Sequence, residues 1–300
     1  MNCPICGQSG ILWAHAQDVE YLSSDRTYEY RVCECGSLYL VDPPVSELST
    51  IYPSSYYSYS SSARGVAERL KSRMDMRAFA RATRHVKGDD LHALDVGGGA
   101  GYYSSILKKA DTRIKTCTIV DLDPNLVDVL AESDHYFVNS RIEDFHSDKR
   151  YEIILALNLI EHVANPFEIL QVLSSLLAPG GVLILQTPNF RSLDARIFRH
   201  YSWGGLHAPR HWVLFSRPSI EQIATRASLT ILEIRYIQGA PFWTVGLLSR
   251  FQVLRSAAER DMPMYKSRAY RGFLPAFALL DVIRRALGFK TSQLFLVTTK

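Results

Sequence analysis

The chain has 300 residues, 47% hydrophobic and 21% charged, with a formal net charge of +4. That is the composition of a folded globular protein, with room for one large domain and a small appendage, and it excludes a disordered or fibrous chain. Met1-Asn2-Cys3-Pro4 has no feature of a secretory signal, and the apolar segment 272–287 is too short and too interrupted by Asp281, Arg284 and Arg285 to span a bilayer, so a cytoplasmic protein is expected.

The charge is uneven. Residues 1–50 hold seven acids against Arg26 and Arg31, a balance of −5, whereas residues 63–87 hold eight bases against two acids and residues 191–300 seventeen against six. A nucleic-acid reader carries its basic footprint on its reading module, so nucleic acid is not the expected partner. The basic C-terminal third suits a phosphate-bearing acceptor or peripheral contact with an anionic membrane surface, the inner face for a cytoplasmic protein. The sequence assigns no oligomeric state.

Four of the five cysteines open the chain as Cys3-x2-Cys6 and Cys33-x-Cys35, with Gly7 and Gly36 after each pair. In a cytosolic chain two such pairs read as a zinc site, and four thiolates would close the coordination sphere, making the metal structural. The second pair is tighter than the usual spacing of two to four intervening residues, so free thiols are the competing reading and His15 a substitute ligand. A zinc-ribbon-like module is expected over 1–50, too small to fold on an apolar core alone. Cys117 falls inside a strand and reads as a small buried hydrophobe.

A Ser/Tyr-rich bridge and a basic helix (63–86) follow over 51–88; Tyr56 and Tyr57 are candidate pocket-lining residues, since tyrosine offers a flat face and a hydroxyl. Next, Leu94-Asp95-Val96-Gly97-Gly98-Gly99-Ala100-Gly101 reads as strand, tight turn and helix start, and Ile119-Val120-Asp121-Leu122 as a neighbouring strand ending in an acid. A dinucleotide fingerprint starting at Gly97 would need glycine at 102, where Tyr102 stands, and no phosphate loop of the G-x-x-x-x-G-K-S/T type occurs. Strands are expected at 93–96, 116–121, 135–139, 153–158, 182–187, 229–237 and 293–299. Helices are expected at 102–109, 124–132, 166–177 and 218–227, with Asp123 capping the second. Strand–helix alternation calls for a parallel sheet covered on both faces.

At these residues the chain resembles the class I S-adenosylmethionine (SAM)-dependent methyltransferases. The resemblance continues through 151–158, the Leu159-Ile160-Glu161-His162 turn and the Ala178-Pro179-Gly180-Gly181 junction. It implies a doubly wound, mostly parallel seven-stranded Rossmann-like sheet over 89–300, behind the small N-terminal module. It further implies an acceptor loop at 189–216, a helical insertion at 239–290 and an antiparallel last strand. By the same resemblance Gly97, Gly99 and Gly101 wrap the methionine part of SAM, Asp95 holds that loop, and Asp121 takes the ribose hydroxyls. Leu122, Glu143 and Asp144 flank the adenine, and Asn158 touches the methionine amino group.

The segment 201–216 holds Trp203, His207, Pro209, Arg210 and His211, and resembles the Pro-Arg-His segment of methyltransferases encoded with bacterial surface-polysaccharide genes, often behind a cysteine knuckle. His207, His211 and His162 are the candidate bases for a hydroxyl acceptor, with Arg210 and Trp203 as acceptor-binding residues. In some O-methyltransferases a Glu-x-x-Glu-His turn binds a divalent metal; here Asn158 replaces the first glutamate. The expected activity is O-methylation of a sugar, sugar nucleotide or lipid-linked glycan in envelope polysaccharide synthesis. The alternatives are a zinc-ribbon RNA base methyltransferase, a quinone-like small-molecule O-methyltransferase, and a non-catalytic scaffold.

Overall fold

Two sheets organise the chain in a computed structural model that describes residues 2–52, 66–131, 133–254 and 262–300. Among the described residues the strands are β1 Ile11–Ala16, β2 Tyr28–Val32, β3 Ser37–Leu40, β4 Leu91–Val96, β5 Ile114–Asp121, β6 Tyr136–Asn139, β7 Tyr151–Leu157, β8 Leu177–Pro188, β9 Val213–Phe215, β10 Thr230–Ile237 and β11 Gln293–Thr299. The α-helices of five residues or more are α1 Val66–Ala82, α2 Tyr102–Ala110, α3 Leu126–Leu130, α4 Pro166–Leu176, α5 Leu193–Phe198, α6 Arg217–Arg226, α7 Ala240–Arg250 and α8 Arg268–Ala286.

The larger sheet has the order β10-β11-β8-β7-β4-β5-β6. Strands β6, β5, β4, β7 and β8 run parallel, and β11 inserts antiparallel between β8 and β10. The expected seven-stranded, mostly parallel sheet is therefore what forms. Its central strands, LHALDV and YEIILAL, are apolar on both faces because helices cover both sides. Helix starts follow ordinary capping: the Asn165 side chain accepts from Glu168 N–H ahead of Pro166, and Ser216 and Ser219 form a reciprocal capping box before α6.

Boundaries moved for local reasons. Strand β8 begins at Leu177, earlier than expected, because Leu177 pairs with Tyr151 before the glycines bring Val182 opposite Ile153. Helix α3 is shorter than expected, since Asp123 accepts from Asn125 N–H and Nδ2–H and holds the preceding turn. The basic helix stops at Ala82 and tightens into a 3-10 turn at Thr83–His85. Its Phe79 and Ala82 are buried with Ile106 and Leu107 of α2. Cys117 is buried as expected, its thiol donating to Ser104 Oγ at 3.2 Å.

The smaller sheet has the order β1-β2-β3-β9, so its fourth strand comes from the far side of the larger domain in sequence. Strand β9 had no expectation attached to it: three residues inside a loop carry too little periodicity to announce a strand. One apolar core runs from Cys3, Ile5 and Tyr30 through Leu214 to Leu94 and Ile154, joining the cysteine-bearing residues to the sheet.

Candidate functional site

The topological switch lies at β4, whose carboxyl end sits between those of β5 and β7. In doubly wound sheets this is where ligands bind. The turn after β4 carries Gly97, Gly99 and Gly101 at φ +70°, +51° and +76°. A side chain at Gly98 would place its Cβ 2.7 Å from the Asp95 carboxylate, and one at Gly101 would meet Ile119 at 3.0 Å. The turn can pass this close to the strand tips only as bare backbone. Asp95 accepts from Ser104 Oγ at 2.6 Å, and burial pushes its carboxyl up to about 6. This carboxylate ties the first strand to the helix beyond the turn.

Asp121 ends β5. Its Oδ2 accepts from Gly99 N–H at 2.9 Å and its Oδ1 from Asp123 N–H at 3.1 Å, while burial raises its pKa. Each oxygen keeps a second lone pair, which is what a vicinal diol needs. Leu122 is exposed beside it. Glu143 and Asp144 are also exposed, the former paired with Arg141 at 3.1 Å. Asn158, beyond β7, stands at φ +52°, a conformation asparagine tolerates better than most residues, and its Oδ1 accepts from Gln186 Nε2 at 3.4 Å. The structure thus brings Asp95, Gly97, Gly99, Gly101, Asp121, Leu122 and Asn158 to one edge of the sheet.

Three imidazoles pack together. His162 and His211 have ring centroids 4.6 Å apart, His207 and His211 5.0 Å, and His162 and His207 6.4 Å. His211 Nδ1–H donates to Gly205 O at 2.8 Å, and His207 Nδ1–H to Glu20 at 2.7 Å. The Nδ1 of His162 lies 3.0 Å from Arg210 O and 2.8 Å from the Tyr52 hydroxyl. A carbonyl only accepts, so this nitrogen carries the proton and Nε2 is bare. His207 and His211 are 6% and 5% exposed, whereas His162 is half-buried. Burial holds His162 down at about 3 and His211 well below its ordinary value, so both rings are neutral.

Glu161 is fully buried beside them. Its Oε2 accepts from Thr187 Oγ1 at 3.0 Å, its Oε1 has no hydrogen-bond partner, and burial raises its pKa to about 8. That Oε1 lies 4.0 Å from His211 Nε2, and ligand-type atoms of Glu161, His162 and His211 all fall within 4.8 Å of one another. Tyr52 carried no expected role beside this cluster, since no local spacing marks it; Glu161 was marked only through the Glu-x-x-Glu-His metal turn.

Two expectations for the acceptor loop are corrected. Arg210, read as an acceptor clamp, is fully buried. It donates to both carboxylate oxygens of Asp18 (2.9 and 3.3 Å), to Ile51 O, to Ala208 O and to Ser23 Oγ. Its fork is spent pinning the loop to the N-terminal residues. Trp203, read as acceptor-binding, is also fully buried, donating to Asp194 at 2.7 Å and packed edge-on against Trp13 and Phe242. Tyr56 and Tyr57 lie outside the described residues.

The four N-terminal cysteines converge with all sulfurs within 4.8 Å, Cys3 to Cys35 at 3.6 Å and Cys6 to Cys33 at 3.3 Å. Sulfurs about 2.3 Å from a tetrahedral zinc would stand somewhat under 4 Å apart, so this donor set fits the ion. The Gly7 and Gly36 N–H groups close their turns on Cys3 O and Cys33 O rather than on sulfur. His15 sits apart, facing Glu29 at 3.9 Å.

A doubly wound seven-stranded sheet with the antiparallel β11 inserted between β8 and β10, a glycine turn and an acid on adjacent strand tips is the Rossmann-like fold of the class I SAM-dependent methyltransferases. The methyltransferase-domain family matches residues 66–234, more than half of the chain, and the chain belongs to that family. A ubiquinone biosynthesis O-methyltransferase of Coxiella burnetii is 31% identical over 172 residues, covering 53% of this chain and 72% of that protein. The mitochondrial ubiquinone biosynthesis O-methyltransferase of Arabidopsis thaliana is 29% identical over 178 residues, covering 52% and 55%. Coclaurine N-methyltransferase bound to N-methylheliamine and SAH superposes with a TM-score of 0.53 at 14% identity, over 86% of this chain and 79% of that one. The [4+2]-cyclase SpnF superposes equally well, with 14% identity over 81% and 85%. The shared fold therefore does not fix the reaction.

Proposed function

We propose that this methyltransferase O-methylates a small, hydroxylated, quinone-like acceptor, with His162 as the base. What carries the reading is the half-buried His162, whose Nε2 is left without a proton, in a chain 31% identical over 172 residues to a ubiquinone biosynthesis O-methyltransferase. The glycan reading loses Arg210 as an acceptor clamp, since its guanidinium is spent on Asp18. An RNA substrate fits poorly with an N-terminal module of balance −5.

SAM supplies an electrophilic methyl on a sulfonium. The turn at Gly97, Gly99 and Gly101, tied back by Asp95, would hold its methionine part; Asp121 would accept from the ribose hydroxyls, Leu122 with Glu143 and Asp144 would border the adenine, and Asn158 would meet the amino group. Positioning provides most of the acceleration in such an in-line transfer. His162 Nε2 would take the acceptor's proton, while Arg210 O and the Tyr52 hydroxyl hold the ring from behind. His207 and His211 line the next shell of the same array.

Turnover with a catechol or hydroxyquinol acceptor and radiolabelled SAM tests this. His162→Ala should keep SAM affinity and lose roughly 10²–10⁴ in turnover. Unchanged turnover in that variant, or label appearing only on sugar acceptors, overturns the reading. A structural zinc on Cys3, Cys6, Cys33 and Cys35 belongs to the same proposal.

A further inference from the structure

Among the described residues, helix α8 is held on one side only. Its inner face is fixed by Phe277, stacked on Trp243 at 5.4 Å and 13°, and by Asp281, which is fully buried and accepts from Gly239 N–H and Trp243 Nε1–H. Its outer face is apolar and bare: Leu279 is 60% exposed, Ile283 49% and Leu287 69%, with Leu280 and Val282 beside them and Phe289 (57%) just past the helix end. Scattered apolar residues need no explanation, but a continuous helical stripe does.

Cations frame the stripe. Arg268 and Arg271 lie exposed at the start of the helix, and Arg285 and Lys290 at its end. Residues 262–300 hold seven bases and a single acid, the buried Asp281. A second copy of the chain packed on this stripe would bring arginines and lysine at both ends against their own kind. A surface of phosphates over hydrocarbon offers the opposite: anions for the flanks and apolar depth for the leucines. Among the described residues no helix is long and apolar enough to cross a membrane, so α8 would lie in the plane of the surface.

We propose that the outer face of α8, with Arg268, Arg271, Arg285 and Lys290, docks the enzyme peripherally on an anionic phospholipid bilayer. This does not depend on which acceptor the enzyme methylates. The test is co-sedimentation of the full chain with vesicles of phosphatidylcholine alone and of phosphatidylcholine with phosphatidylglycerol. Binding is expected only to the anionic vesicles and should weaken as salt rises. Leu279→Asp with Ile283→Asp should weaken it roughly tenfold or more, and so should Arg285→Glu with Lys290→Glu. SAM affinity and melting temperature should stay unchanged, because these side chains touch neither the cofactor turn nor the core. Equal binding to neutral vesicles, or no vesicle binding by the wild type, overturns the proposal. So does a dimer of the wild type in sedimentation velocity that Leu279→Asp dissolves, which would make the face a contact between copies.

Discussion

Asp121 shows how one side chain can hold a turn and still keep lone pairs open to a ligand. It already receives two backbone N–H groups, so the turn and the strand tip are set before any ribose arrives. Asp121→Ala should weaken SAM binding roughly tenfold or more, since hydrogen bonds to a charged group contribute about 1.5–3 kcal/mol; wild-type affinity by calorimetry would remove Asp121 from the cofactor site. The Asp18–Arg210 pair is the second case. Burial alone would raise the Asp18 carboxyl, but the hydrogen bonds and charge of Arg210, with Ser23 and Tyr21 N–H, outweigh it and hold the group at about 2. A depressed carboxylate contributes stability that is present above its unfolded value of 3.8 and is lost as pH falls toward 2. Arg210→Met strands the buried charge and should cost about 3–5 kcal/mol. In that variant burial is opposed only by Ser23 and Tyr21 N–H, so the melting temperature should fall more steeply than the wild type's as pH rises from 4 toward 6. A slope equal to the wild type's would show that Asp18 finds another partner.

At the scale of elements, strand β9 joins the two sheets. It pairs with β3, whose Ser37 contacts Cys3 Sγ at 3.2 Å and Cys35 Sγ at 3.0 Å, while Ser216, next after β9, donates to Gly36 O at 2.8 Å. The cysteine cluster therefore rests directly on the loop that carries His207 and His211. Purified protein should hold one zinc per chain. Cys3→Ser, or prolonged chelation, should release it and loosen residues 2–52, and should lower methyl transfer while leaving SAM affinity in place, because the cofactor turn hangs from β4 and β5 instead. Full activity in metal-free protein would confine the cysteines to packing.

For the molecule as a whole, the N-terminal residues act as a clamp on the acceptor loop. Asp18 holds Arg210, Glu20 holds His207, and the Tyr30 hydroxyl donates to Leu206 O and His211 O. Left-handed backbone at Ser202 and His207, φ +50° and +39°, falls within the clamped loop, where the surrounding contacts can hold strained residues. Two of the seven carboxylates of residues 1–50, Asp18 and Glu20, are thus spent on this loop.

The sequence alone determined the larger sheet and the glycine turn and acid at its carboxyl edge. Apolar runs, a glycine turn that admits no side chain and an acid at the next strand tip are local features, each written within a few residues of Gly97 or Asp121. It also marked the cysteine pairs, because ligand spacing is local too. Only the tertiary structure decided the fate of the acceptor loop. Arg210 meets a carboxylate 192 residues away, His207 one 187 residues away, and the tryptophan and the third strand of the small sheet lose their solvent to distant partners. An arginine beside two histidines has the same sequence whether it faces a substrate or a buried aspartate. What separates the two is which remote groups remove water from it, and that is settled only when the chain closes on itself.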